Sequence, residues 1–274
     1  MTHDPTHIDT GTDQLLCRIE DGVAVITLNR SDARNALSEE LSPALRRMIK
    51  ERGEDNRVGV LLLTGAGTAF CAGGDIKGMG GRMTAGTTPA DLAAQLKERQ
   101  RTLTGALVAV RKPTIAALPG AAAGAGLAIA LACDIRIAAR SAFVTTAYAR
   151  IGLTGDYGIT WHLTRLVGTA KARELMFTAE RIDAEGAERL GLVNRVVDDD
   201  ALQAEALSFA STLATGPRAA FAMMKDNLDE ALTADFLTSL DDEAERLIRA
   251  AGTDDHKEAV QAFVEKREPR FGES

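Results

Sequence analysis

The chain has 274 residues, 45% hydrophobic and 26% charged, the proportions of a globular protein able to bury a full core. Lys and Arg total 32 against 39 Asp and Glu, a formal net charge of −7, which excludes general attraction to nucleic acid or an anionic membrane. No run reaches the roughly 20 apolar residues of a membrane-spanning helix, and Cys17, Cys71 and Cys133 are spaced for neither a disulfide framework nor a zinc site.

Residues 1–13 are polar and lack the apolar or Arg-rich patterns of targeting signals, so they predict a mobile N-terminal tail on a cytoplasmic protein. LLCRIE and VAVITLN read as strands joined at Asp21–Gly22, a hairpin signal. Ser38 then opens a helical pattern, with Leu37, Leu41, Ala44 and Leu45 at helical spacing. VGVLLLTG (58–65) is a continuous apolar run suited to a strand buried on both faces. The glycine-rich GAGTAFCAGGDIKGMGG follows, then helical spacing over 90–110 and the buried strand TIAAL (114–118). PGAAAGAGLAIALACD (119–134) reads as a tight turn and a helix, with DIRIAA and AFVTT as further strands. The alternation predicts an α/β domain over 14–197. Residues 198–274 carry amphipathic helical patterns without strand signals, as a cap or an oligomer interface would.

Gly120, Gly124 and Gly126 imitate a dinucleotide-binding turn. However, Ile129 stands where G-x-G-x-x-G needs its third glycine, and no acid follows about 20 residues on to hold a ribose. A G-x-S-x-G elbow, a lysine-terminated phosphate loop and clustered metal ligands are all absent from the sequence. Of only four histidines, His162 reads as a packed helix residue. The stronger feature is a pair of glycine-rich turns, FCAGGDIKGM (70–79) and PGAAAGAG (119–126), each after a buried strand and before a helix. Each can present a backbone N–H to a shared cleft, and two such donors are what an oxyanion hole requires.

ITLNRSDARNALSEEL, GTAFCAGGDIKGM, KPTIAALPGAAAGAGLAIALACDIRIAA, LTRLVGTAKARELMFTAERIDAEGAERLGLVNRVV and AFVEKREPRF together span about residues 15–271. In these stretches the chain resembles the crotonase, or enoyl-CoA hydratase/isomerase, family. The resemblance implies a crotonase-like spiral of β-β-α units with a C-terminal helical oligomerisation region. It also implies acyl-CoA thioester substrates, assembly as a homotrimer or homohexamer, and no cofactor beyond coenzyme A as part of the substrate. The oxyanion donors it implies are Gly74 and Ala125. CoA-contacting positions fall on Ala33, Arg34, Ala72, Asp75, Ile76 and Lys77, with Phe263 and Lys266 covering the adenine end, commonly of a neighbouring subunit.

The two glutamates with which hydratases of this family activate water are replaced here by Ala128 and Tyr148. Asp156, just before a helix starting near Gly158, matches the position of the working aspartate in isomerases and aromatic dehalogenases of the family; it also suits a helix N-cap. One carboxylate suffices to move a proton beside a thioester, so the expected chemistry is an isomerase-type shuttle through Asp156. Tyr148, Tyr157 and Trp161 are expected to shape the acyl pocket. Two alternatives stay open: a hydratase with a non-standard acid or base, and a catalytically silent acyl-CoA-binding protein.

Overall fold

The computed structural model describes residues 4–75 and 88–272. Strands β1 (Thr6–Ile8), β2 (Leu15–Glu20) and β3 (Val23–Leu28) form an antiparallel meander. Helix α1 (Leu41–Glu54) connects it to β4 (Val60–Gly65), which pairs parallel to β3. The helix starts three residues after Ser38, with Glu40 as its N-cap, and the Ser38 hydroxyl accepts the N–H of Leu41 at 2.9 Å from the preceding turn.

Three strand pairs then repeat: β4 with β5 (Ala69–Cys71), β6 (Thr114–Leu118) with β7 (Ala121–Ala123), and β8 (Ile135–Ala139) with β9 (Phe143–Thr145). The chain continues through β10 (Ile182–Asp183) and β11 (Arg195–Val197). The first strand of each pair enters a seven-stranded sheet ordered β1-β2-β3-β4-β6-β8-β11, and the second a four-stranded sheet ordered β10-β9-β7-β5. Neighbours β4, β6 and β8 are parallel, as are β5, β7 and β9, so each unit advances the chain by one position in both sheets. Both β4 and β6 are buried along their whole length, which is why their sequences are continuous apolar runs rather than alternating ones.

Helices complete the units: α2 (Pro89–Gln100) and α3 (Ala106–Ala109), α4 (Ala125–Ala132), then α5 (Ile159–Leu166), α6 (Gly168–Thr178) and α7 (Ala184–Arg189). Every residue of α4 is buried, and its sequence AGLAIALA has no polar face to offer. The C-terminal region is all helical: α8 (Leu202–Ala214), α9 (Arg218–Glu230), α10 (Phe236–Ala251) and α11 (Asp254–Glu265). Leu202, Ala206, Ala210 and Ala214 are the buried residues of α8, which packs on β4 and β6. By contrast, α9 and α10 bury no residue in the single chain.

Two expectations change. Residues 6–8 are not part of a mobile tail. They pair with β2, Thr6 opposite Ile19 and Ile8 opposite Cys17, because a sheet edge offers backbone groups that a short segment can satisfy. The helical spacing of 90–110 is also not one α-helix, since residues Arg101–Gly105 form a π-helical turn between α2 and α3. There the Thr102 and Thr104 hydroxyls donate to the carbonyls of Glu98 and Gln100, competing with the regular ladder.

Candidate active site

The first glycine turn is fastened to the segment that follows β3. Ala72 N–H donates to the Arg34 carbonyl at 2.9 Å, Leu37 N–H to Gly73 at 2.8 Å, and Asp75 N–H to Leu37 at 3.3 Å. The Asp75 carboxylate accepts from Arg30 at 2.8 Å. Beneath this strap lies Asn35, fully buried, in a left-handed conformation at φ 57°. Its amide donates to the carbonyls of Ala66 and Ala69 and its oxygen accepts from the Arg30 N–H, so it ties the strap to the β4–β5 corner. Arg34, Ala72 and Asp75 are thereby gathered along one edge of the turn, and Ala33 precedes Arg34 in the short 3-10 turn Ser31–Ala33. Ile76 and Lys77 lie outside the described residues.

The second turn meets the first through glycines. A Cβ on Gly126 would stand 2.1 Å from the Cys71 carbonyl oxygen, so only glycine lets α4 lie this close to β5. Gly73, at φ 95°, sits against the second turn: a Cβ there would be 2.9 Å from the Ala123 oxygen and 3.5 Å from the Ala125 nitrogen. The N–H of Ala125, first residue of α4, and that of Gly74 have no backbone acceptor among the described residues. Two unpaired donors in adjoining turns can bind an oxygen that gains charge.

Asp156 lies on a loop of unusual backbone. Gly155, Tyr157 and Gly158 all have left-handed φ, at 117°, 52° and 80°, and a tyrosine in that region marks an over-determined conformation. The Gln100 side chain holds the Tyr157 N–H at 2.8 Å, just before the π-turn. Asp156 does not cap α5 with its side chain, because the N-cap is Gly158 and receives no side-chain bond. Its carboxylate instead accepts the Tyr148 hydroxyl at 2.6 Å.

Burial is the largest influence on Asp156 and raises its pKa, while the Tyr148 hydrogen bond partly opposes it. Burial and the nearby carboxylate both raise the Tyr148 pKa, so this phenol remains a proton donor. The Tyr148 ring also reaches the second turn, its Cζ 3.8 Å from where a Gly124 Cβ would lie. One phenol thus spans the acid and the glycine turn.

A cavity of about 170 Å³ connects these elements; Leu37, Gly74, Leu96, Leu153, Asp156 and Tyr157 are among its walls. Trp161 is not among its described lining residues. It is 43% exposed, covered by the Arg165 guanidinium at 3.9 Å and in edge contact with His162. Burial pushes the His162 pKa down to about 4, so the ring packs as a neutral imidazole. Ala128, fully buried one helical turn into α4, offers no ionisable group. Phe263 and Lys266 sit on and just after α11, whose main packing partner is α10, and Phe263 is 85% exposed in the single chain. Sequence reasoning missed Asn35 and Gln100, since each acts through contacts with segments distant along the chain. Among the described residues no group of three His, Cys, Asp or Glu could hold a metal ion.

Known proteins resemble the chain along nearly its whole length. The profile of the family described as enoyl-CoA hydratase/isomerase matches residues 18–274. A 1,2-epoxyphenylacetyl-CoA isomerase of Escherichia coli is 38% identical over 258 residues, covering 94% of this chain and 97% of that protein. A short-chain-enoyl-CoA hydratase of Clostridium acetobutylicum is 36% identical over 249 residues, covering 90% and 93%. Among solved structures, an enoyl-CoA hydratase from Polaromonas superposes with a TM-score of 0.87 at 33% identity, covering 93% of this chain and 98% of that one.

Proposed function

The chain belongs to the enoyl-CoA hydratase/isomerase family, and from that premise we propose that it is an isomerase-type enzyme that shuttles a proton through Asp156. The thioester oxygen of an acyl-CoA lies between the N–H groups of Gly74 and Ala125. Asp156 removes a proton from a carbon beside or conjugated with the thioester. The enolate charge rests on the two backbone donors, and the same carboxyl returns the proton to another carbon, moving a double bond or opening a strained ring. Ala33, Arg34, Ala72 and Asp75 take the CoA side, with Ile76 and Lys77 continuing it. Phe263 and Lys266 reach the adenine end of a neighbouring subunit's ligand in a homotrimer or homohexamer. Trp161 and Tyr157 flank the acyl group in that assembly. The three buried, unpaired cysteines suit a reducing cytoplasm.

The observation that carries this reading is the half-buried Asp156 carboxylate on the cavity wall, held by a phenol that stays protonated. Hydration across a double bond in this family uses two carboxylates, and the corresponding positions here are Ala128 and Tyr148. The name of the Clostridium relative favours a second reading, a hydratase, and loss of conjugated absorbance from crotonyl-CoA tests it. The main experiment is deuterium exchange into acyl-CoA in heavy water. Asp156→Asn keeps an acceptor for Tyr148 and removes the base, so exchange falls by about 10²–10⁴-fold. Exchange at the wild-type rate in this variant removes Asp156 from the reaction.

A further inference from the structure

The groove between α1 and the α2–α3 segment continues past the reacting end. Leu37, Pro43 and Leu96 line the inner cavity that holds Asp156. Further along the same two helices lies an outer cavity of about 710 Å³, with Ile49, Ala106, Ala109 and Val110 as its apolar wall. Arg46 lines both cavities and therefore stands at their junction. It is half-buried and makes no hydrogen bond or ion pair with any described residue. Neighbouring cations are engaged: Arg99 with Glu39 at 3.3 Å, Arg47 with Glu51 at 3.9 Å, and Arg111 with Asp226 and Asp229 at 2.9 Å.

A half-buried guanidinium without a partner loses hydration and gains nothing in return. That is a cost in a chain of net charge −7, where acidic partners are plentiful. Arg47, Lys50, Arg101 and Arg111 outnumber Glu54 in the lining of the outer cavity beside it, a local excess of positive charge against the sign of the whole protein. Direction follows from the thioester site. With the carbonyl at Gly74 and Ala125 and CoA leaving past Ala33 and Arg34, the acyl group enters the inner cavity beside Asp156 and points along the groove.

Resting on the proposed thioester site, we infer that the natural acyl group ends in a carboxylate that Arg46 binds, so the substrate class is an ω-carboxyacyl-CoA. The guanidinium offers a planar fork that a carboxylate accepts in two hydrogen bonds. Leu37, Pro43 and Leu96 on the inner side take the methylene chain. A methyl-ended chain of equal length leaves Arg46 desolvated and unpaired, and a site built for hydrogen bonding discriminates against such an analogue.

The test is calorimetric titration of the full chain with unreactive CoA thioethers, in matched pairs of increasing length that end in carboxylate or methyl. At one chain length the carboxylate-ended member binds wild type about tenfold to hundredfold tighter. In Arg46→Met that ratio falls to near one, while Arg46→Lys retains part of it, which a folding defect would not do. A wild-type ratio near one at every length, or an unchanged ratio in Arg46→Met, overturns the inference. Thioethers bind without reacting, so the ratio is read independently of Asp156. Wild-type exchange in Asp156→Asn overturns the proton shuttle alone, whereas failure of every thioether to bind overturns the thioester site and this inference with it.

Discussion

In the proposed shuttle, Tyr148 sets the working range of Asp156. Burial raises the pKa of Asp156, and the phenol donates to its ionised form and draws it back down. A base works only when ionised, so proton exchange rises with pH through the raised pKa of Asp156. Tyr148→Phe removes the opposing hydrogen bond and leaves burial to act alone. The acid limb of the exchange–pH profile moves to higher pH, and exchange at the acid end drops by about tenfold or more. An acid limb at the wild-type position in this variant removes Tyr148 from the control of Asp156. That Ala128 and Tyr148 carry no carboxylate is legible in the sequence. The contact between Tyr148 and Asp156, eight residues apart, is not, because it depends on the left-handed turn at Gly155–Gly158.

At the level of elements, glycine spacing serves contact between layers more than ligand binding. Gly126 is a pattern match for a nucleotide turn in the sequence, yet its lack of a side chain lets α4 lie against the Cys71 carbonyl. Gly126→Ala puts a methyl where backbone already stands and pushes α4 from β5, carrying the Ala125 N–H away from Gly74. The expected cost is about 1–3 kcal/mol in urea unfolding. Exchange activity falls as well, at a temperature where the variant is still folded. Full activity in a folded Gly126→Ala protein would mean that the two turns need not be held together. The strand–turn–helix order around both turns follows from apolar runs and glycines, whereas the π-turn after Gln100 has no such signal. It arises from competition by Thr102 and Thr104 and is coupled through Gln100 to the Asp156 loop.

On the scale of the whole molecule, the C-terminal helices are unfinished in a single chain. Phe236, Leu237, Leu247 and Ile248 on α10, and Phe263 and Val264 on α11, are all exposed. Apolar patches of this kind mark association surfaces, and with family membership they predict a homotrimer or a pair of trimers. Sedimentation velocity at micromolar concentration is expected to give one of those masses. The double variant Leu247→Glu with Ile248→Glu places charge in the interface, shifts the protein towards monomer and weakens CoA binding at the adenine end. A wild-type monomer under these conditions overturns the assembly.

Hydrophobic periodicity and backbone restrictions act over neighbouring residues, so the α/β class, the buried strands, the two glycine turns and the helical C-terminal region are legible along the chain. Tertiary structure alone decided that residues 6–8 join a sheet and that Asn35 anchors the first turn. It also set the Asp156 side chain on a phenol rather than on a helix end, and left Arg46 without a partner among the described residues, where it lines two cavities. Each of these depends on which distant segments share a surface, on how much water they exclude, and on which polar groups find partners there. Local pattern carries none of that information.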